Sequence, residues 1–248
     1  MRAIQQLTVL QSALPRNILF LLAYLIQLCI LNVIAMNSLA DIRKDYKMQT
    51  LDEAEAEADP IRQFDKWWQD ALSSSIEEVN AFTLATAAPD GKPSARIVLL
   101  KGYDEKGFVF FTNYTSNKGN ELSKNPLVYM VFFWKELERQ VRIEGVAEKV
   151  SSEESDSYFA SRPAGSRIGA WASPQSTVIE NRSVIEKNVL RYQQKFEGQP
   201  VPRPGHWGGY RVKPRLIEFW QGRPSRLHDR LQYTLQEENG WKIERLAP

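Results

Sequence analysis

The sequence is poor in the side chains that build metal sites and nucleophilic sites. Among its 248 residues are one cysteine, Cys29, and two histidines, His206 and His228. A single cysteine excludes an intrachain disulfide. Two distant histidines, with no HExxH or CxxC motif, give no zinc-type cluster. The sequence also lacks the G-x-S-x-G motif of many hydrolases. We therefore predict no metal site and find little support for acyl-transfer chemistry.

Charge of one sign is not in excess either. The chain has 32 Lys and Arg against 30 Asp and Glu, a formal net charge of +2 at pH 7. Such a balance gives no global attraction to nucleic acid, so we expect no nucleic-acid partner and only local functional charge. Hydrophobic residues make up 43% of the chain, which is typical of a globular protein with a core.

The one long hydrophobic run lies near the N-terminus. Residues 17–36 carry no charge and are long enough, at ~1.5 Å per residue, to span about 30 Å of bilayer. Three interpretations stay open: a membrane anchor, a targeting segment with a poor cleavage pattern, or a start site at Met36 that leaves residues 1–36 out of the mature protein. We expect a cytoplasmic protein, with membrane association or organelle targeting only if this leader is retained.

The rest of the chain divides into a polar lead-in over residues 37–58 and one domain over residues 59–248. Asp59 and Pro60 predict the start of a helix that continues to about Ser75. Further helices are predicted over about 116–123, 152–161 and 183–196. Alternating patterns predict a β-meander of three strands, FTLATAA, SARIVLLKGY and FVFFTN. Two longer strands follow, PLVYMVFFW and ERQVRIEGVAEKV. Four more strands are predicted at about 208–213, 215–220, 227–234 and 241–245.

The predicted fold class is mainly β (α+β). Six or more strands joined by tight turns favour a small antiparallel barrel with peripheral helices over a parallel sheet.

Two stretches in the first part of the domain carry polar residues that packing alone does not explain. Arg96 and Lys101 bracket an apolar run, and strand alternation would place them on opposite faces, although solvated strand ends are an alternative. Tyr158 and Arg162 share one helix face, and Pro163 ends that helix so that a turn can fold Ser166 back toward them. A phenol, a guanidinium and a hydroxyl suit a phosphate, with a plain surface pair as the alternative.

Two further stretches follow. Gln175 and Ser176 form either a donor loop for a ligand or an ordinary loop. Arg226, His228 and Arg230 alternate along a predicted strand, so that all three would project from one face. Like charges on one face repel each other, and an anionic planar ligand would explain them. These four stretches together suit the binding of two phosphorylated aromatic molecules, with a cofactor supplying the redox chemistry.

Several motifs together resemble the pyridoxine/pyridoxamine 5′-phosphate oxidase family. They are RIVLLK, SRPAGSRIGAW, the Gln175-Ser176 pair, WGGY, IEFWQG, RLHDR and the C-terminal ERLAP, in order over about residues 41–248. The resemblance implies an FMN-binding split β-barrel that works as a homodimer with two active sites at the subunit interface.

The family pattern also implies residue roles. FMN would be held by Arg96, Ile97, Val98, Leu99, Leu100, Lys101, Phe111, Thr112, Lys118, Gln140, Gln175, Ser176, Trp220 and Arg230. The substrate phosphate would be held by Lys101, Tyr158, Arg162 and Ser166. Arg226 and His228 would orient the pyridine ring as the catalytic pair, and Arg43 and Tyr46 belong to a segment that closes over the site in this family.

The resemblance implies FMN-dependent oxidation of pyridoxine 5′-phosphate and pyridoxamine 5′-phosphate to pyridoxal 5′-phosphate. The family passes a hydride equivalent from C4′ to flavin N5, and O2 then yields H2O2, with ammonia released from the amine. Two departures are Asn117, where the family usually has Arg, and Arg167 in place of a common Gln. Two alternatives remain: a split-barrel flavoenzyme with another substrate, and a carrier that binds pyridoxal 5′-phosphate without FMN.

Overall fold

The computed structural model describes residues 44–238 and 240–248, together with Ile18, Tyr24 and Leu25. The expectations for Arg43 and for the leader, apart from those three residues, therefore lie outside the described residues. The chain divides into two compact units, residues 1–45 and 46–248, and the second contains all the elements below. Within the described part of the chain, every helix is too short or too polar to cross a bilayer.

The second unit combines one antiparallel sheet with peripheral helices. The helices are α1 Pro60–Leu72, α2 Asn117–Lys124, α3 Ser152–Ser161, α4 Ala164–Ala172 and α5 Ser183–Lys195. The strands are β1 Ala81–Ala87, β2 Pro93–Leu99, β3 Gly102–Asp104, β4 Gly107–Asn113, β5 Leu127–Trp134, β6 Arg139–Lys149, β7 Trp207–Gln221, β8 Asp229–Gln236 and β9 Gly240–Arg245.

The long strand β7 organises the sheet. The strand order is β2-β1-β5-β6-β7-β4-β3, and β8 pairs with both β7 and β9. The first half of β7 pairs with β4 and its second half with β8, while β6 follows almost its whole length on the other edge. The sheet curls so that β2 comes next to β4, as in a barrel.

Aromatic side chains fill the interior of the curled sheet. Phe64 and Trp67 of α1 are buried against it, because their helical spacing places both on one face of an amphipathic helix. Phe64 contacts Phe108 and Phe132 edge to face, with ring centroids 4.9 and 5.4 Å apart. Leu51, which precedes α1, also lies in this core.

Helix boundaries agree with the predictions except at two places. α1 ends at Leu72 rather than near Ser75, and the Ser74 hydroxyl donates to Ala71 O at 2.7 Å to close its last turn. α4 was not predicted. Pro163 ends α3 as expected, but it also precedes the first residue of α4, since proline suits the start of a helix.

The predicted meander of the first strands is confirmed only in part: both of its hairpins form, β1 with β2 and β3 with β4, but its middle strand is divided into β2 and β3. β1 and β2 form a hairpin, but the other neighbour of β1 is β5, and β2 lies at the sheet edge. β2 ends at Leu99, where the chain turns a corner. The Leu100 N–H donates to Asn80 O and the Lys101 N–H to Val109 O, each at 2.8 Å. Lys101 therefore lies beyond the strand, and its predicted alternation with Arg96 does not apply.

Residues 208–213 and 215–220 form one strand rather than two. Pro214 lies opposite Gly145 at a β-bulge, where the register between β6 and β7 shifts. A bulge tolerates a residue without an N–H, so β7 continues through the proline.

The predicted strand over 227–234 begins later. β8 starts at Asp229, because Pro224 opens a 3₁₀ turn in which Ser225 and Arg226 have positive φ of 56° and 63°. Arg226 and His228 thus precede the strand that contains Arg230. The prediction that all three alternate along one strand face is wrong.

Candidate functional site

One cavity gathers many of the residues that the sequence singled out. Its volume is about 490 Å³, within the range of small-molecule sites. It lies beside the edge strand β2, whose outer edge no strand of the described chain covers. The predicted site residues that line it are Ile97, Val98, Leu99, Lys101, Phe111, Thr112, Lys118, Tyr158, Arg162, Ser166 and Gln175.

Arg162 is the side chain in this cavity that most clearly lacks a counterpart within the protein. Its Nη1 is buried and has no hydrogen-bond partner among the residues that the structure describes. Its guanidinium lies over the Trp207 ring, 4.6 Å from the centroid, which fixes its plane. Burial lowers the pKa of Arg162, but an arginine remains charged at neutral pH. A buried cationic donor without an acceptor is costly unless a ligand anion satisfies it.

The start of α4 adds backbone donors at the same place. Pro163 and Ser166 line the cavity, so this end of the helix faces it. Within the described part of the chain no side chain caps α4, and the first N–H groups of a helix have no intrahelical acceptor. Anions bind well at such ends. Arg162, Ser166 and the α4 terminus therefore form a suitable set of donors for a phosphate.

Aromatic rings form one wall of the cavity. Phe111 stacks on Tyr158 with centroids 4.0 Å apart and on Trp207 with centroids 5.5 Å apart. Burial raises the pKa of Tyr158, so its phenol stays protonated and can donate to an anion. The wall offers an apolar surface beside the anion-binding groups, as a phosphorylated aromatic ligand requires.

A second cationic group lies on α2. Lys118 lines the cavity and donates to Gln175 Oε1 at 3.0 Å. Burial and the neighbouring Arg96 lower the pKa of Lys118. Arg96 itself does not line the cavity. It donates to Thr86 Oγ1 and Ser94 Oγ, each at 2.5 Å.

A separate group of predicted residues lies at the other end of β7. The Trp220 and His228 rings have centroids 4.5 Å apart, and Tyr46 meets Trp220 edge to face at 5.8 Å. Gln140 and Arg230 flank Trp220 on the neighbouring strands. We call Tyr46, Gln140, Trp220, Arg226, His228 and Arg230 the C-terminal cluster. None of its members lines the cavity.

Two members of the C-terminal cluster, Arg230 and His228, have partners within the protein. Glu218, with a side chain 3% exposed, pairs with Arg230 at 2.8 Å and with Arg142 at 3.1 Å. His228 Nδ1 accepts from the Arg223 N–H at 3.1 Å. Burial and the charge of Arg226 lower the pKa of His228 below its ordinary 6.5. The imidazole is therefore neutral at neutral pH.

Two further predicted residues fall outside both groups. Leu100 is buried in the core, and Ser176 is an exposed loop residue with a positive φ of 69°. Conversely, the cavity includes residues that no site prediction named, namely Asn113, Pro163 and Trp207. The last two lie within the quoted SRP and WGGY motifs, so the sequence did carry a signal for them. Among residues 44–238 and 240–248, no group of three or more His, Cys, Asp or Glu side chains is placed to hold a metal.

Comparison with known proteins gives the family. Residues 68–196 match the pyridoxamine 5′-phosphate oxidase family, and residues 207–248 match the pyridoxine 5′-phosphate oxidase C-terminal dimerisation region. A pyridoxine/pyridoxamine 5′-phosphate oxidase of Trichormus variabilis is 58% identical over 211 residues, 85% of this chain and 99% of that protein. One of Burkholderia multivorans is 59% identical over 215 residues, 86% of this chain and all (100%) of that protein.

Solved structures agree on the fold. PhzG from Burkholderia lata 383, in complex with tetrahydrophenazine-1-carboxylic acid, superposes with a TM-score of 0.77 at 29% identity, covering 83% of this chain and 100% of that one. An FMN-binding protein of Nostoc punctiforme related to pyridoxamine 5′-phosphate oxidase gives 0.63 at 17% identity, covering 77% and 100%. The predicted split-barrel fold is confirmed. The chain belongs to the pyridoxine/pyridoxamine 5′-phosphate oxidase family of oxidoreductases.

Proposed function

We propose that this protein oxidises pyridoxine 5′-phosphate and pyridoxamine 5′-phosphate to pyridoxal 5′-phosphate, with FMN as cofactor and O2 as electron acceptor. The observation that carries the proposal is the buried, unpartnered Nη1 of Arg162 in a cavity that also has aromatic walls. The names of the relatives at 58–59% identity support the same substrates.

The donors around Arg162 favour a phosphate over a carboxylate. Arg162, Lys101, Tyr158, Ser166 and the uncapped start of α4 converge on one cavity. A phosphate offers three acceptor oxygens and nearly two charges, which use such a set more fully than a carboxylate does. The neighbour PhzG was solved with a tricyclic carboxylic acid, so a substrate of that class is the second candidate.

The cavity also suits a flavin. Val98, Leu99 and Lys101 come from the edge strand β2 and the corner after it, where backbone groups are available to a planar ligand. Lys118 and Gln175 add a cation and an amide. FMN, when bound, supplies the acceptor for the two electrons that leave the substrate, and O2 takes them up as H2O2. The protein's own groups hold the phosphate, orient the ring and exclude water.

We further infer that each active site is built from two copies of the chain. Trp207, in the cavity, and Trp220, in the C-terminal cluster, are 13 residues apart on β7. At ~3.3 Å per residue this is up to about 40 Å of strand, far longer than one pyridine phosphate. A two-fold dimer would bring the cavity of one copy to the C-terminal cluster of the other and form two equal sites.

The outer face of the sheet offers a surface for the second copy. Ile97 and Phe133 are 65% and 54% exposed. The strand register places Ile97, Thr83 and Val131 in one row, and Phe133, Gln140 and Trp220 in the next. This face, with two exposed apolar side chains, thus extends from the edge of the cavity to the C-terminal cluster. The family match over residues 207–248 to a dimerisation region supports this arrangement.

Within that site, Arg226 and His228 would contact the pyridine ring. His228 is neutral, and its Nδ1 is occupied by the Arg223 N–H, so Nε2 is the ring nitrogen left to face a ligand. Arg226 would supply the fixed positive charge. For the alcohol, one O2 is consumed and one H2O2 released per aldehyde formed; for the amine, water enters and ammonia leaves as well.

The test is oxygen uptake by the purified full chain with FMN and pyridoxine 5′-phosphate. We expect one O2 consumed and one pyridoxal 5′-phosphate formed per turnover, and little activity with unphosphorylated pyridoxine. A yellow protein that oxidises only a reduced tricyclic carboxylic acid would support the second candidate. A colourless protein that binds pyridoxal 5′-phosphate would support a carrier and contradict the proposed function.

A further inference from the structure

A partly buried acidic residue lies beside the cationic end of the cavity. Glu121 is three residues after the cavity-lining Lys118 on α2, so the two share a helix face. Arg96, next to the cavity-lining Ile97 on β2, reaches Glu121 Oε2 at 3.3 Å. The Arg96 and Glu121 side chains are only 21% and 18% exposed. The ion pair is therefore partly buried.

Two hydroxyl groups form hydrogen bonds to both members of the Arg96–Glu121 ion pair. Thr86 and Ser94 accept from Arg96, each at 2.5 Å. The same hydroxyls donate to Glu121 Oε2, at 2.5 Å from Thr86 and 2.7 Å from Ser94. Arg96 also donates to Leu84 O at 3.3 Å. The guanidinium predicted to bind the cofactor is thus already satisfied by an anion that belongs to the protein.

Glu121 is charged where it lies. Burial alone would raise its pKa, but the hydrogen bonds from Thr86 and Ser94 and the charge of Arg96 outweigh burial and lower it. Its charge also acts on Lys118, whose pKa is lowered by burial and by Arg96 and raised by Glu121. A phosphate placed at Lys118 would meet two cations and one carboxylate.

We propose that Glu121 competes with the phosphate of FMN for Arg96 and Lys118 and so weakens the hold of the protein on its cofactor. This inference rests on the proposed use of FMN. Two like charges a few ångströms apart repel each other in a partly buried site. A guanidinium that is already paired with a carboxylate also contributes less binding energy to a second anion. Asn117, adjacent to Lys118, adds no compensating cation.

The test is the affinity of the flavin-free full chain for FMN and for riboflavin, which lacks the phosphate. Glu121→Gln keeps the shape and hydrogen-bonding capacity of the side chain and removes its charge. We expect Glu121→Gln to lower the Kd for FMN about tenfold and to leave the Kd for riboflavin within about twofold, as measured by quenching of flavin fluorescence. Added salt should reduce the difference between variant and wild type.

A matched control is Glu105→Gln, which makes the same change in net charge at an exposed residue of the β3–β4 turn. We expect it to change neither Kd. Should Glu121→Gln fail to fold, Glu121→Ala tests the same charge with the best helix former, and we expect the same selective gain for FMN.

The outcomes separate this inference from the proposed function. If wild type binds FMN, and Glu121→Gln binds it equally or more weakly, Glu121 only positions Arg96 and the inference is overturned. Equal tightening for FMN and riboflavin would also overturn it, because the phosphate would then play no part. If wild type binds neither flavin, the proposed function fails together with the inference.

Discussion

The cavity and the C-terminal cluster lie at opposite ends of β7 and differ in whether their charged side chains have hydrogen-bond partners within the protein. In the cavity, Arg162 has a buried donor that no described residue satisfies. In the cluster, Arg230 is paired with Glu218, and His228 accepts from the Arg223 N–H. The cavity is therefore incomplete without an anion, whereas Arg230 and His228 of the cluster already have partners within the protein. We infer that the first provides binding energy and the second orientation.

The largest effect is expected at Arg162. Arg162→Ala should raise the KM for pyridoxine 5′-phosphate about 100-fold, because charge-assisted bonds to the phosphate are lost. Thermal stability should not fall, since the variant removes a buried unsatisfied donor. Steady-state kinetics and thermal unfolding check both. Arg182→Ala, at an exposed arginine paired with Glu186, is the control. An unchanged KM would contradict the phosphate-binding role.

The cluster should respond differently. Arg226→Ala is expected to retain bound flavin and to lose turnover by more than about tenfold, because orientation of the ring is lost while the cavity remains intact. Flavin absorbance and kcat are measured on the same sample. Arg215→Ala, at an exposed residue of β7, should leave both unchanged. Turnover at the wild-type rate in Arg226→Ala would refute the orienting role.

The pH dependence of kcat/KM tests the predicted protonation state of His228. Because its pKa lies below 6.5, His228 is neutral at pH 7 and gains a charge beside Arg226 only as the pH falls through that lowered value. We expect kcat/KM to decline on the acid side, below pH 6.5, and the decline to move to higher pH in Arg226→Ala, where the repulsive charge is gone.

The substrate phosphate also titrates near pH 6, so His228→Asn is the necessary comparison. The part of the acid decline that belongs to His228 should disappear in this variant. An identical profile in His228→Asn and wild type would show that the imidazole has no part in it.

The smallest effect is expected where Tyr46 meets Gly222. A Cβ at Gly222 would lie 2.7 to 2.8 Å from the Tyr46 side chain. Because the contacted atoms include Tyr46 Cβ and Cγ, the ring cannot turn away alone and the segment around Tyr46 must shift. Gly222→Ala should therefore cost about 1–3 kcal/mol of folding free energy and displace Tyr46 from Trp220. We expect a severalfold rise in KM and a fall in Tm of several degrees, and an unchanged KM would mean that Tyr46 has no part in substrate binding.

Local sequence patterns predicted most of the helices and strands. Asp59 caps α1 as predicted, with its carboxylate accepting from Ile61 N and Arg62 N, and the alternation of β6 buries Val141 and Ile143. These features depend on neighbouring residues only. The position of β2 at the sheet edge depends instead on the corner at Leu100, whose partner Asn80 is 20 residues away. The sequence pattern therefore predicted one continuous middle strand where the structure has two, β2 and β3.

The candidate site could be predicted only in part, because some of its geometry depends on contacts between residues far apart in the sequence. Tyr158, Arg162 and Ser166 are close in sequence, and the structure brings them to one cavity. The strand assigned around Arg226 was wrong, because positive φ at Ser225 and Arg226 breaks the alternation and neither residue type signals such a backbone. The separation of the cavity from the C-terminal cluster depends on how β7 runs through Pro214, which no local pattern shows.

The most direct test of a site shared between two copies is activity of a mixed dimer. Subunits with Arg162→Ala and with Arg226→Ala, carrying different affinity tags, are co-expressed and the heterodimer is purified. One of its two sites would combine the intact cavity of one subunit with the intact C-terminal cluster of the other, so we predict about half of the wild-type activity per dimer. Activity no greater than that of the two parent homodimers would mean that both arginines serve the same subunit's site, and would contradict the shared-site proposal.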